Sequence, residues 1–257
     1  MLDGEAIDNL LCSEVETEVF DLIDSTNAEA KRRALSLADN GEFKPRLFLA
    51  KEQSAGRGRM GRAFLSRGGR GLYFSLLYFT DKPLQDAVSV TTAAAAVVSL
   101  AIERATGNSM RIKWVNDIYN DRGKVCGILA ESLPVCGGRV AMIVGVGINV
   151  GEDDFPDDLK NIASAVGDVS GRENALIADI VKGLLSHAND PEDRGFMKDY
   201  RKRFMLEGEK VDLLQAGEII CSGTVVGVDD DGGLLLLQSD KSEVLTVRSG
   251  EISVRFR

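Results

Sequence analysis

The segment Ser54-Ala-Gly-Arg-Gly-Arg-Met-Gly-Arg62 sets three arginines, Arg57, Arg59 and Arg62, among Gly56, Gly58 and Gly61, with no carboxylate between them. Guanidinium groups are permanently charged, planar forks that match phosphate and carboxylate oxygens. The glycines let the backbone approach an anion closely, and their conformational freedom makes the segment costly to order without one. The expectation is a loop that orders over an anionic ligand; a solvated basic loop with no ligand is the competing reading. The same residues spell G-x-G-x-x-G. A dinucleotide turn needs its third glycine to open a helix, and here the chain runs on as RAFLSRGGRGLYF into a strand. A Walker-type loop needs Lys-Ser/Thr after the last glycine, where Arg62-Ala63 stands.

Four other groups carry possible chemistry. Asn116-Asp117, just after a strand in KWVNDIY, suits a magnesium ion on a phosphate or a simple Asx turn. Lys124, opening GKVCGILAE, is either a point charge against a phosphate or carboxylate or an exposed edge lysine. Gly145 and Gly147 in VGVGINV share one strand face and leave it bare, for an apolar ring or for a packed helix. Ser25, Thr26 and Asn27 in DSTN cap a helix or grip a polar head, such as a ureido group, that both donates and accepts. The single histidine, His187, falls in an expected surface helix, which excludes a histidine-based triad. Cys12, Cys126, Cys136 and Cys221 form no C-x-x-C pair or zinc-like cluster and read as thiols in a reducing cytosol.

These groups need a frame. Strands are expected at 19–24, 46–53, 71–79, 111–115, 125–132 and 139–150, and helices over 25–41, 84–105, 173–188 and 194–204. Thr26 and Glu29 read as a capping box, Gly41 as a helix stop, and Pro83 stands just ahead of the long Ala/Val-rich helix. After Gly208 five short strands with turn signals such as Asp231-Gly232-Gly233 describe a small SH3-like barrel. The chain of 257 residues divides into a large domain, 1–206, and a small one, 207–257. Its net charge of −9 opposes wrapping of a polyanion, so the basic segment is local and points to a small anionic ligand, with no nucleic acid. The acidic N-terminus lacks the pattern of a signal peptide, and no apolar run is expected to reach the roughly 18 residues of a membrane span.

Taken together, DSTN, EQSAGRGRMGR, KWVND, KVCGILAE and GVGINV, in this order and followed by a small barrel, resemble the biotin protein ligases from about Val19 onward. The resemblance implies an α+β fold, a mixed-sheet catalytic domain with a C-terminal SH3-like β-barrel. It implies a cytoplasmic enzyme that makes biotinyl-5′-AMP from biotin and ATP with Mg2+. Biotin then passes to a lysine of a biotin carboxyl carrier protein; homodimers are common in the family. Only 18 residues precede Val19, too few for the DNA-binding domain of the repressor-type members. By motif position Ser25, Thr26, Asn27 and Gln53 would hold the biotin head. Gly56, Arg57, Gly58 and Arg59 would close over it, and Gly127, Gly145 and Gly147 would line its slot. Arg57, Arg59, Arg62, Asn116, Lys124 and Asn149 would serve the nucleotide. Lys124, Arg59 and Asp117 would be catalytic, Asp117 also facing the metal. Val115 replaces the family's usual proline and Met60 a commonly basic residue. The rivals are a lipoate or octanoate ligase of the same fold, and a non-enzymatic nucleotide- or RNA-binding module.

Overall fold

The computed structural model describes residues 2–81, 87–152, 154–239, 243–248 and 252–256. The six expected strands and one not expected, β5, form a seven-stranded sheet: β1 (Glu16–Ile23), β2 (Arg46–Gln53), β3 (Gly71–Thr80), β4 (Arg111–Lys113), β5 (Asp117–Tyr119), β6 (Lys124–Pro134) and β7 (Val140–Asn149). Their order is β1-β2-β3-β7-β6-β5-β4. Only β1 and β2 run parallel. A parallel neighbour needs a crossover, and α2 (Thr26–Asp39) supplies it.

Alternation along the strands builds two cores. Leu47 and Leu49 of β2 face one layer with Val144, Val146 and Ile148 of β7. Phe48, Leu77, Ala141 and Ile143 face the other, under Ala30 and Ala34 of α2. The small side chains of α2 let that helix lie close on the sheet, which brings its N-terminus down to the strand ends. Opposite it, α3 (Ala87–Thr106) and α4 (Glu173–Asn189) cover the larger core.

The structure amends several expectations. Helix α3 is apolar enough over Val88–Thr106 to cross a membrane by length and composition, against the expectation that no stretch is. That window is 67% buried inside the protein, the environment of a core helix. Pro83 lies outside the described residues. The helix α4, expected at the surface, buries Leu176, Ile177, Ile180, Val181, Leu184 and Leu185. Its apolar stripe is interrupted by charges on the other face, which hid it in the sequence. A helix α1 (Gly4–Leu10) was not anticipated. Asp3 caps it by accepting from the Ala6 N–H, and Ile7, Leu11 and Val15 anchor it in the core.

The C-terminal strands β8 (Lys210–Gln215), β9 (Glu218–Val228), β10 (Leu234–Gln238), β11 (Val244–Val247) and β12 (Ile252–Phe256) form an antiparallel sheet ordered β11-β10-β9-β8-β12. This is the expected SH3-like domain. Its core joins the large one. The turn Asp229–Gly233 fastens it to the rest of the molecule. Asp231 pairs with Arg194 at 3.1 Å and Asp230 with Arg201 at 2.6 Å, both of them next to or on α5 (Phe196–Arg203). The Gly232 carbonyl accepts from Trp114 Nε1 at 2.9 Å. Gly232 has φ of +84°, and a Cβ there would press on Thr92 of α3, 2.5 Å away.

Trp114 is 4% exposed, so Trp114→Phe leaves a buried carbonyl unpaired. It is expected to lower stability by about 1–3 kcal/mol, read as a fall in the urea midpoint with an unchanged m-value.

Candidate active site

The site begins where β2 ends. The chain leaves Gln53 and is pinned to the β1 end by Ser54 N–H donating to Ile23 O and Ala55 N–H to Asp24 O, each at 2.9 Å. It then doubles back as a narrow hairpin. Gly58 N–H donates to Arg62 O at 2.7 Å and Phe64 N–H to Gly56 O at 2.9 Å. The tip needs two left-handed residues, Met60 at φ 58° and Gly61 at φ 72°. Gly56 does not line the cleft; it serves this hairpin, since a Cβ there would overlap Phe64 O.

The hairpin roofs a cleft of about 170 Å³, open to solvent. Beneath the cleft run two rows of strand residues, of which Gly147, Gly127, Asp117, Lys113, Gly145 and Leu129 line it. One row runs Tyr73, Gly147, Gly127, Asp117, Lys113 across β3, β7, β6, β5 and β4. The next runs Ser75, Gly145, Leu129. The bare glycine face is used as the sequence implied, but by the chain's own side chains. The Phe64 ring lies over the first row: a Cβ on Gly147 would come within 2.5 Å of it, and one on Gly127 within 3.1 Å. The Asn27 amide lies over the second, where a Cβ on Gly145 would overlap its Oδ1.

One end of the cleft is cationic. Arg57, Arg59 and Arg62 come from the hairpin, Lys113 from β4 and Lys124 from β6. Asp117 is the one carboxylate among the described lining residues, and it takes Lys124 Nζ at 2.6 Å. Arg59 donates to Asn116 Oδ1 at 2.6 Å and to the Ile252 carbonyl of β12 at 3.1 Å. Burial holds its pKa below the ordinary guanidinium value, against the opposing pull of Asp117. Burial likewise lowers Lys113, whose Nζ sits 5.0 Å from the centre of the Phe256 ring. Two cations that are costly to keep charged are groups that gain by receiving an anion.

The other end is polar and buried. Thr26 N–H donates to Gln53 Oε1 at 2.8 Å. This replaces the expected capping box: Ser25 holds the N-cap position with no side-chain cap bond, and Glu29 instead pairs with Arg32 and Arg33. Gln53 Nε2 donates to Ser66 Oγ at 2.8 Å.

Ser25, Thr26, Asn27, Gln53, Arg57, Gly58, Arg59, Arg62, Asn116, Asp117, Lys124, Gly127, Gly145 and Gly147 all line one cleft. Asn149 does not line it; its amide donates to the Lys124 and Ser164 carbonyls at 3.4 and 3.0 Å. Sequence reasoning missed Lys113, Phe64, Ser75 and the β12 edge. Lys113 and Phe64 each lay inside a quoted motif and were passed over. No local signal links Ser75 or Ile252 to the site, because only strand pairing and domain docking bring them there.

Residues 19–149 match the biotin/lipoate A/B protein ligase family, and residues 208–255 match the biotin protein ligase C terminal domain. The chain belongs to this ligase family. The ligase is 36% identical over 84% of its length to the bifunctional ligase/repressor BirA of Bacillus spizizenii, covering 67% of that protein. It is 31% identical to the biotin--[acetyl-CoA-carboxylase] ligase of Paracoccus denitrificans, covering 83% of this chain and 90% of that one. Among solved structures, the biotin protein ligase of Aquifex aeolicus in complex with biotin and ATP superposes with a TM-score of 0.74 at 28% identity, over 94% of this chain and 99% of that one.

Adding one methyl at Gly145 tests the floor. Gly145→Ala drives Asn27 out of its seat and is expected to destabilise the fold by about 1–3 kcal/mol, measured by denaturant unfolding.

Proposed function

We propose that this ligase activates biotin with ATP and transfers it to a lysine of a biotin carboxyl carrier protein domain in the cytoplasm, its catalytic unit spanning 1–206 and its barrel 207–257. The observation that carries this reading is the juxtaposition, in one cleft, of five cations, a bare glycine floor and a buried polar end. In the first step a biotin carboxylate oxygen bonds to the α-phosphorus of ATP and pyrophosphate leaves. Two anions must approach, so the task is charge neutralisation and alignment, for which no nucleophilic side chain is needed. Lys124, Arg59 and Arg62 neutralise the carboxylate and phosphate. Thr26, Asn27 and Gln53 fix the biotin head. In the second step the carrier ε-amine bonds to the acyl carbon, AMP leaves with the bonding pair, and the amine gives up a proton.

Magnesium would be carried on the ATP phosphates, with Asp117 facing it. The cleft offers a single carboxylate, Asp117, beside Lys124, and the described residues hold no cluster of three metal-ligating side chains. Such a donor set suits an ion carried on nucleotide phosphates. The mixed anhydride hydrolyses in water, and the hairpin, closed over it, protects it.

The polar end argues against octanoate. An aliphatic chain would bring no donor to the buried Thr26 Oγ1 and no polar group to the end of the cleft lined by Thr26, Asn27 and Gln53, which costs binding. Incubation with ATP, Mg2+ and biotin is expected to release pyrophosphate; release with octanoate alone would replace biotin as substrate.

Arg59→Gly is expected to retain adenylation but release biotinyl-5′-AMP at least about tenfold faster, because a charge-assisted contact is lost. The off-rate of the intermediate, measured by filter retention, checks it, and an unchanged rate sinks the protective role of the hairpin.

A further inference from the structure

Behind the cleft wall stands Glu131 of β6, which does not line the cavity. Its Oε2 accepts from Asn27 Nδ2 at 2.9 Å, and its Oε1 holds Lys31 Nζ at 2.6 Å. The Leu129 carbonyl accepts from the same Asn27 nitrogen at 3.3 Å. A carboxylate and a carbonyl only accept, so both N–H bonds of the Asn27 amide are spent here and its orientation is settled. Asn27 Oδ1 must then face Ser75, whose Oγ lies 2.6 Å away.

Ser75 has one hydrogen, and Asn27 Oδ1 takes it. Thr26 Oγ1 has two oxygens within reach, Ser75 Oγ at 2.7 Å and Gln53 Oε1 at 3.2 Å; its one hydrogen goes to Ser75, because Gln53 Oε1 already accepts from the Thr26 N–H and the 2.7 Å contact would otherwise set two lone pairs face to face. The far end is settled in the same way. Ser66 Oγ donates to the Phe64 carbonyl at 3.2 Å, so it accepts from Gln53 Nε2, which turns Gln53 Oε1 toward the Thr26 N–H. Ser75 is 0% exposed, and Thr26, Asn27 and Ser66 are each 4% exposed, so water does not scramble the order.

We propose that Glu131 is a positioning residue that fixes the direction of this hydrogen-bond chain. Fixed so, Thr26 Oγ1 meets the ligand as an acceptor, matched to a ureido N–H. The inference rests on the biotin-ligase reading and deepens it. Lys31 holds Glu131 from the solvent side and is secondary, because Glu131 accepts from Asn27 without it.

The test compares Glu131→Gln, Lys31→Met and Ser75→Ala in the full-length protein. The probes are biotin and a cyclic carbamate analogue with one ureido N–H replaced by oxygen. In Glu131→Gln one acceptor oxygen must serve both Lys31 and Asn27, so the amide can turn over. The biotin KM is expected to rise about 10- to 100-fold, with kcat at saturating biotin and the KM for ATP within about twofold. Preference for biotin over the carbamate should shrink in Glu131→Gln and in Ser75→Ala, which breaks the next link. In Lys31→Met it should stay. An unmutated protein inert toward biotin removes the functional reading and this inference together. An active unmutated protein whose Glu131→Gln variant keeps its biotin KM and its carbamate preference overturns the inference alone. So does a loss in which both probes weaken equally, because that is the signature of a structural role.

Discussion

Five cations on one cleft repel each other, and that repulsion is the constraint the rest of the architecture answers. In water the charges would drift apart and be screened within about 10 Å. Here they are held from different parts of the chain. Lys113 and Lys124 are fixed at strand ends, and the arginines ride on a hairpin tied by backbone hydrogen bonds. Asp117 offsets part of the repulsion through Lys124, and Arg59 is placed by neutral oxygens. The arrangement leaves a positive surplus inside a protein whose total charge is −9. That surplus fits two reacting anions.

The glycines work in the opposite sense. Gly145, Gly147 and Gly127 sit in two adjacent rows of the sheet, and each missing Cβ is occupied space rather than a gap. Asn27 and Phe64 press onto the bare backbone. The polar end and the aromatic surface are thereby set at fixed depth against a rigid sheet, which is what orienting a ligand requires.

The C-terminal domain belongs to the same arrangement. Its Asp229–Gly233 turn is clamped by Arg194, Arg201 and Trp114, and its last strand gives a carbonyl to Arg59. The hairpin arginine Arg59 touches both Asn116 and β12 and so ties the hairpin to the second domain.

The sequence by itself determined the residue types and their local settings. The Arg/Gly segment, the DSTN turn, the paired glycines of β7 and the five short terminal strands were all legible, because each is a pattern within a dozen residues. They sufficed for the fold class and for most of the cleft. Tertiary structure decided what depends on register and docking. Ser75 stands opposite Gly145, Glu131 stands behind Asn27, and Ile252 meets Arg59 across 193 residues. Gly56 and Asn149 carry motif positions yet turn their capacity to the backbone. The physical reason is one of range: propensity and spacing act over neighbours in the chain, while strand pairing and burial choose which distant groups share a hydrogen.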